Sequence, residues 1–347
     1  MKRFFALALS TALLLVGCTS FVKDPAADIP AAETSASQLS PTAEPDEATV
    51  ETAASPFAAT TTVAEVEADP AFANFGTLLF PLHGDNGENL TLDAIERLMP
   101  YHNDIHVETA LDVLNSMREA AQNGETIFYD IYSEEEKAAD PAKENTGLFF
   151  FRGEADAPFA VVNAGGGFSY VGALHESFPH ALELSRRGYN AFALIYRTGG
   201  AEVACEDLAV ALEFIFDHAG ELGISTENYS LWGGSAGARM AAYLGSYGVT
   251  AFGGPDLPRP AAVIMQYTGH SDYTEMDPPT FACVGEEDGI ANWHTMETRI
   301  NNLAALGIPT EFHHYPGVPH GFGLGLGTNA EGWLDDAVAF WQAQMAA

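Results

Sequence analysis

Basic residues are scarce in this chain of 347 residues. Lys and Arg number 14 against 48 Asp and Glu, which gives a formal net charge of −34 at pH 7. A nucleic-acid-binding protein needs a basic face to displace counterions, and a protein that binds anionic lipid headgroups needs a polybasic patch. The charge balance therefore argues against both classes of partner.

Cysteine is also scarce, with three residues in the whole chain. This number excludes a disulfide scaffold and a cysteine-rich zinc module. Among the histidines, the His102–His106 pair straddles an expected helix start, so the two rings need not converge on one point. We therefore predict no metal site, and we expect Cys205 and Cys283 to be buried free thiols.

The chain has no apolar run of the roughly 20 residues that cross a bilayer as a helix. Its longest N-terminal run, residues 4–16, follows Lys2 and Arg3 and has the length of a signal peptide. The run ends in Leu-Val-Gly-Cys at Cys18, which resembles a bacterial lipobox. That resemblance implies cleavage after residue 17 and lipid attached to Cys18, hence an exported, membrane-anchored lipoprotein. An ordinary signal peptide followed by an incidental cysteine is the alternative.

Composition divides the remainder of the chain into three parts. Residues 18–70 are rich in Ala, Thr, Ser, Pro and acidic residues without a persistent period, which predicts a disordered acidic tether. Residues 71–125 carry apolar stripes at helical spacing and predict a helical extension. Residues 126–347 alternate between strand and helix patterns, which predicts an α/β domain with a mostly parallel central sheet and helices on both faces.

The alternation gives a specific set of elements. The predicted strands are 126–132, 147–151, 159–162, 190–196, 229–232, 262–265, 280–284 and 311–315, and the predicted helices are 174–187, 204–218, 236–244, one around 296–303, and 330–345.

A serine stands in a glycine-rich turn between a predicted strand and a predicted helix. Residues 233–237 read Gly-Gly-Ser-Ala-Gly, the G-x-S-x-G pattern in the context that a nucleophilic serine requires. The flanking glycines allow a tight turn that lifts Ser235 above the sheet. Three further glycines, residues 165–167, follow the strand 159–162, where their N–H groups can point at a carbonyl oxygen. An idle serine in a glycine-rich turn is the alternative interpretation.

An acid and a histidine follow later strands in the expected order. The segment Gly285-Glu286-Glu287-Asp288 ends the strand 280–284, and His320 follows the strand 311–315. A carboxylate close to the strand is limited in direction, whereas the third residue after Gly285 has room to turn inward. We therefore favour Asp288 as the partner of His320, with Glu287 second.

At this point the chain resembles the α/β-hydrolase superfamily, and within it the carboxylesterase branch that includes acetyl-xylan and feruloyl-type esterases. The resemblance covers roughly residues 125–345. It implies that Ser235 is the nucleophile, His320 the general base and Asp288 the acid that orients it. Many lipases and esterases carry a histidine before the three glycines, whereas this chain has Ala164.

The same resemblance implies an oxyanion hole formed by the N–H groups of Ala236 and of Gly166 or Gly167. The expected function is hydrolysis of carboxylic esters, on a small ester or an acylated carbohydrate, without a cofactor. Short acyl groups are expected because about 17 residues between the helix 236–244 and the next strand are too few for a large cap. Two alternatives stay open: a serine peptidase of the prolyl-oligopeptidase type and a non-catalytic binding lipoprotein.

Several further polar residues follow strands or begin helices. His175 and Glu176 either line the pocket or form a surface pair at a helix start. His270 and Asp272 follow a strand at the edge where sites lie and are candidates for substrate contact. Arg197 at the end of a strand is expected in a buried ion pair.

We predict that Cys18→Ser releases the protein from the membrane fraction and leaves specific activity unchanged. The anchor would be separated from the α/β domain by a long tether, so no coupling to the site is expected. Fractionation of cells that express each form, with an activity assay on both fractions, measures this. A variant that stays in the membrane fraction would contradict lipid anchoring.

Overall fold

A computed structural model describes residues 55–81, 87 and 89–346 of the chain. The predicted signal peptide, Cys18 and most of the predicted tether lie outside these residues. The strands are β1 (Phe128–Tyr129), β2 (Gly147–Phe151), β3 (Pro158–Asn163), β4 (Asn190–Ile195), β5 (Ser225–Gly234), β6 (Ala262–Gln266), β7 (Thr280–Gly285) and β8 (Thr310–Tyr315). The α-helices are α1 (Val63–Glu67), α2 (Val107–Gln122), α3 (Glu134–Ala139), α4 (Ser177–Arg186), α5 (Ala201–Asp217), α6 (Ala219–Leu222), α7 (Ala236–Tyr247), α8 (Trp293–Ala305) and α9 (Trp333–Met345).

These strands form one sheet in the order β1-β2-β4-β3-β5-β6-β7-β8. β1 and β2 pair antiparallel, as does β2 with β4, and every pair from β4 to β8 is parallel. The crossover from β3 to β4 runs in one direction along the sheet, and those that follow run in the other. Because such crossovers are right-handed, α4 covers one face and α5, α7 and α8 cover the opposite face. The predicted architecture is confirmed.

The central strands are short apolar runs without alternation, since helices cover both of their sides. β2, β4, β6 and β7 are buried at every position. The ring of Trp232 on β5 contacts two tryptophans of α9, Trp333 and Trp341, at centroid distances of 6.3 and 6.2 Å. α9 is thereby fixed over the middle of the sheet.

The N-terminal part differs from its prediction in two ways. Residues 55–70, assigned to the tether, are folded, because the apolar side chains of Phe57, Val63 and Val66 are buried in the core. The predicted tether boundary at residue 70 is therefore wrong. Among the described residues of 71–125, α2 is the one long α-helix, and the stripe around Leu92 forms the 3₁₀ helix Leu92–Leu98.

The structure also shows the state of the two cysteines and of Arg197. Cys205 and Cys283 are both buried and free, as predicted. Arg197 pairs with the buried carboxylate of Asp207 at 2.7 Å, the predicted ion pair at the end of β4. None of the described helices combines the length and the apolar character needed to cross a membrane.

Candidate active site

Ser235 stands at the sharp turn between β5 and α7 in a conformation that L-residues rarely adopt. Its φ is +50° and its ψ is −109°, a backbone strain that the surroundings must impose. A Cβ at Gly233 would overlap the backbone of Gly237, and a Cβ at Gly237 would overlap the carbonyl of Asn163 at the end of β3. Both glycines are therefore required by close packing, and Ser235 is presented at the carboxyl edge of the sheet.

His320 connects Ser235 to a buried carboxylate. Its Nε2 lies 3.0 Å from Oγ of Ser235, and its Nδ1 lies 2.7 Å from Oδ2 of Asp288. The other oxygen of Asp288 accepts the N–H groups of Ile290 at 2.8 Å and Ala291 at 2.6 Å. The Asp288 side chain has no exposed surface. Fixed from both ends, this carboxylate can hold one tautomer and one orientation of the His320 ring.

The two neighbouring acids do not reach His320. Glu286 is exposed and pairs with His314 at 2.5 Å, and Glu287 is exposed. The geometry thus selects Asp288 among the three consecutive acids, because only that side chain turns inward.

The three glycines, called here the glycine loop (residues 165–167), lie directly beside Ser235. A Cβ at Gly165 would come within 2.9 Å of the Ser235 Cβ. Gly166 and Gly167 have φ values of +127° and +62°, which favour glycine. Ala236 is the first residue of α7, where helical N–H groups lack an intrahelical partner. The residues predicted to surround a carbonyl oxygen are therefore neighbours of the serine.

Glu176, which the sequence placed in the pocket or at a surface, is completely buried behind the glycine loop. Its Oε2 accepts the N–H of Gly165 in a short hydrogen bond, and its Oε1 lies 2.7 Å from Nε2 of His102 and 3.0 Å from the donating hydroxyl of Tyr267. Burial by itself raises the pKa of this carboxyl, but His102 and the Gly165 N–H outweigh it and bring the pKa down to about 2. The group is ionised at neutral pH.

Sequence reasoning did not foresee His102 at this place. It was weighed only as a metal ligand with His106, yet the His102 ring is buried between Glu176 and the hydroxyl of Tyr170, 2.8 Å from Nδ1. His106 instead approaches the carbonyl of Leu326. Because His102 and Glu176 are far apart in sequence, no local pattern could indicate their pairing.

The other polar candidates have different surroundings. His270 is buried against the ring of Tyr243, and Asp272 accepts the hydroxyl of Tyr247 at 2.5 Å. Their described contacts do not involve Ser235 or His320. Within the described ranges, no group of three or more His, Cys, Asp or Glu side chains is arranged to hold a metal ion.

Fold and site geometry together define an α/β-hydrolase-fold protein, and comparison with known proteins agrees. Residues 152–254 match the model of the BD-FAE family. No curated protein matches the chain.

Solved structures share the fold at low identity. An acetyl ester-xyloside bifunctional hydrolase from Caldicellulosiruptor lactoaceticus is 21% identical with a TM-score of 0.55, covering 62% of this chain and 95% of that one. An α/β hydrolase from a Medee basin deep-sea metagenome library is 23% identical with a TM-score of 0.51, covering 58% and 93%. A sugar hydrolase from Lactococcus lactis is 21% identical with a TM-score of 0.51, covering 58% and 95%. The resemblance to α/β hydrolases is thus confirmed for the fold.

Buried histidines near the site make a prediction about acid stability. Burial lowers the pKa of His175 to about 3 and that of His180 to about 4, below the usual 6.5. Between about pH 6 and 5, the unfolded chain therefore binds nearly two protons on these two imidazoles that the folded protein does not bind. Over this range, these two histidines should therefore lower the free energy of unfolding by roughly 3 kcal/mol for each unit by which the pH is decreased.

His180→Gln should remove about one of these protons and flatten the pH dependence. Urea denaturation of both proteins at pH 7, 6 and 5 measures the difference between their free energies of unfolding. The contribution of the surface acids is the same in both proteins and cancels in this difference. Parallel stability curves for the two proteins would contradict the prediction.

Proposed function

We propose that this protein is a serine hydrolase that cleaves carboxylic esters, with Ser235 as nucleophile, His320 as general base and Asp288 as the acid that orients the imidazole. The observation that carries the proposal is the continuous hydrogen-bonded chain from Asp288 through His320 to Ser235, which stands on a strained turn. Nucleophile, base and orienting acid within hydrogen-bond reach are the signature of covalent acyl transfer.

In this proposal, Oγ of Ser235 attacks the ester carbonyl while Nε2 of His320 takes its proton. The N–H groups of Ala236 and of Gly166 or Gly167 stabilise the negative oxygen of the tetrahedral intermediate. His320 returns the proton to the departing alcohol, which leaves an acyl group on Ser235. A water molecule, activated by the same imidazole, then releases the acid. No step requires a cofactor.

The comparisons support the substrate class. The matched family model and the structural neighbour described as an acetyl ester-xyloside hydrolase favour a small ester or an acylated carbohydrate. The segment between α7 and β6 contains only the short 3₁₀ helix Val249–Phe252, which is too little chain for a large cap. We therefore propose short acyl groups. Faster hydrolysis of a dodecanoyl than of an acetyl or butyryl ester would exclude this preference.

We propose that the protein is exported and anchored to a membrane, at the cell surface or on a periplasmic face, with lipid on Cys18 as the sole membrane contact. The acidic composition favours this over binding to anionic headgroups by the protein surface.

Replacing Ser235 with Ala should lower ester hydrolysis by about 10³-fold or more and leave the fold intact, since only Oγ is lost. The same change should abolish covalent labelling by a fluorophosphonate. Ester and peptide chromogenic substrates are compared on the wild-type protein in parallel. Labelling at another serine in the variant would refute the assignment, and preferential cleavage of the peptide would favour a peptidase.

Asp288→Asn should lower kcat by up to about 10⁴-fold, because an amide at this position favours the wrong tautomer of His320. Glu287→Gln is the matched control, one residue away and exposed, and should stay within roughly tenfold of the wild type. Steady-state kinetics on the three proteins decides the matter. A crippled Glu287→Gln with a nearly normal Asp288→Asn would require the acid to be reassigned.

A further inference from the structure

We propose that Glu176 is a positioning residue for this site: its carboxylate holds the glycine loop and the support of His320 in one arrangement, with His102 as its counterpart. The inference rests on the proposed ester hydrolysis for its catalytic meaning. Glu176 does not reach the reacting atoms and would act through its neighbours.

The first contact joins Glu176 to the loop that would bind the oxyanion. Oε2 accepts the N–H of Gly165, the first residue of the glycine loop. A Cβ at Gly234, the residue before Ser235, would overlap the same carboxylate. Glu176 therefore packs against both backbone segments whose spacing sets the width of the proposed oxyanion hole.

The second contact joins Glu176 to His320. The Tyr267 hydroxyl donates to Oε1 at 3.0 Å, and the Tyr267 ring packs edge-on against the His320 imidazole, with centroids 5.1 Å apart. Tyr267 is fully buried with a φ of +33°, a strained conformation for a large residue. A hydrogen bond that holds this tyrosine in place also limits the position of the imidazole.

The third contact brings in the N-terminal part of the fold. Nε2 of His102 lies 2.7 Å from Oε1 of Glu176, and the adjacent Asn103 donates from Nδ2 to the carbonyl of His320 at 2.8 Å. The backbone N–H of Asn103 also donates to the carbonyl of Gly321 at 3.1 Å. Residues 102–103 thus contact both the Glu176 carboxylate and the backbone of His320 and Gly321.

In the arrangement that the structure shows, with all three partners donating, these contacts suit a carboxylate and not an amide of the same size. A carboxylate only accepts hydrogen bonds, and the Gly165 N–H and the Tyr267 hydroxyl approach different oxygens as donors. Nε2 of His102 must carry a proton to make its contact with Oε1. A glutamine would direct its NH₂ group either at the Gly165 N–H, which can only donate, or at the Tyr267 hydroxyl and His102. The first arrangement loses the loop contact, and the second turns the hydroxyl and the imidazole nitrogen from donors into acceptors.

Glu176→Gln tests the proposal in the full-length protein. We expect kcat for a short-chain nitrophenyl ester to fall about 10²-fold, the effect of losing one oxyanion-hole donor, with KM within about threefold. The affinity for phenylboronic acid, which forms a tetrahedral adduct with a serine, should fall with kcat. This split is expected of an interaction made only in the transition state.

Asp277→Asn is the matched control. Asp277 forms a buried ion pair with Arg299, and its other described side-chain partner is Thr274. It should lower the melting temperature while kcat and KM stay within about threefold of the wild type. Wild-type kcat in Glu176→Gln, or an equal loss of kcat in Asp277→Asn, would overturn the proposal.

Two further measurements keep the test decisive. If Glu176→Gln does not fold, Tyr267→Phe removes one hydroxyl and should lower kcat about 3- to 10-fold with little change in KM, as expected for one hydrogen bond. Unchanged kcat in Tyr267→Phe would refute the positioning role of Glu176.

If the wild type hydrolyses no ester, the proposed function fails, and amide hydrogen exchange tests the positioning role separately. Exchange in residues 163–172 should be faster in Glu176→Gln than in Asp277→Asn, and equal rates would refute it.

Discussion

The close approach of β3 to the turn after β5 is the constraint on which the site depends. Gly237 lies so near the carbonyl of Asn163 that no side chain fits between them, and Ser235 is held at a positive φ as a result. Because the glycine loop continues directly from β3, this contact also fixes the loop beside the serine. Asp288 and His320 follow β7 and β8, whose carboxyl ends lie at the same edge of a parallel sheet. The Gly237–Asn163 contact and the parallel pairing of β5 to β8 together bring four segments of the chain to one place.

Two buried carboxylates organise the polar groups at the carboxyl edge of the sheet, where Ser235 lies. The chain has a large excess of acidic residues. Asp288 and Glu176 lie at this edge with buried side chains, and both oxygens of each accept hydrogen bonds. A buried charge is tolerated only when it is fully partnered, so each of these acids fixes the groups around it. Asp288 is hydrogen-bonded to the imidazole, and Glu176 is the residue that we propose to order the backbone behind the serine.

The sequence predicted the elements well where burial leaves a continuous apolar run and less well where it does not. The strand 147–151 has the predicted bounds, since its three phenylalanines lie within a fully buried segment. β5 begins at Ser225, four residues earlier than predicted, because Ser225 pairs with Pro158 of β3 ahead of an irregular stretch in which Glu227 and Asn228 are exposed. β1 is limited to Phe128 and Tyr129, since only those residues pair with β2. Local pattern reports burial, whereas strand pairing also depends on neighbours distant in the chain.

The sequence by itself determined the α/β architecture, the glycine-flanked Ser235 and the order in which serine, acid and histidine follow their strands. Each of these is a local pattern tied to the end of a strand, and parallel strands carry such ends to one edge. The tertiary structure decided between Asp288, which the sequence favoured, and Glu287, because only there is the Asp288 side chain seen to turn inward while Glu286 and Glu287 face solvent. It alone joined His102 to Glu176, because hydrogen bonding between buried groups depends on how distant segments pack. The spacing of His102 and Glu176 along the chain does not indicate how close their side chains lie in the folded protein.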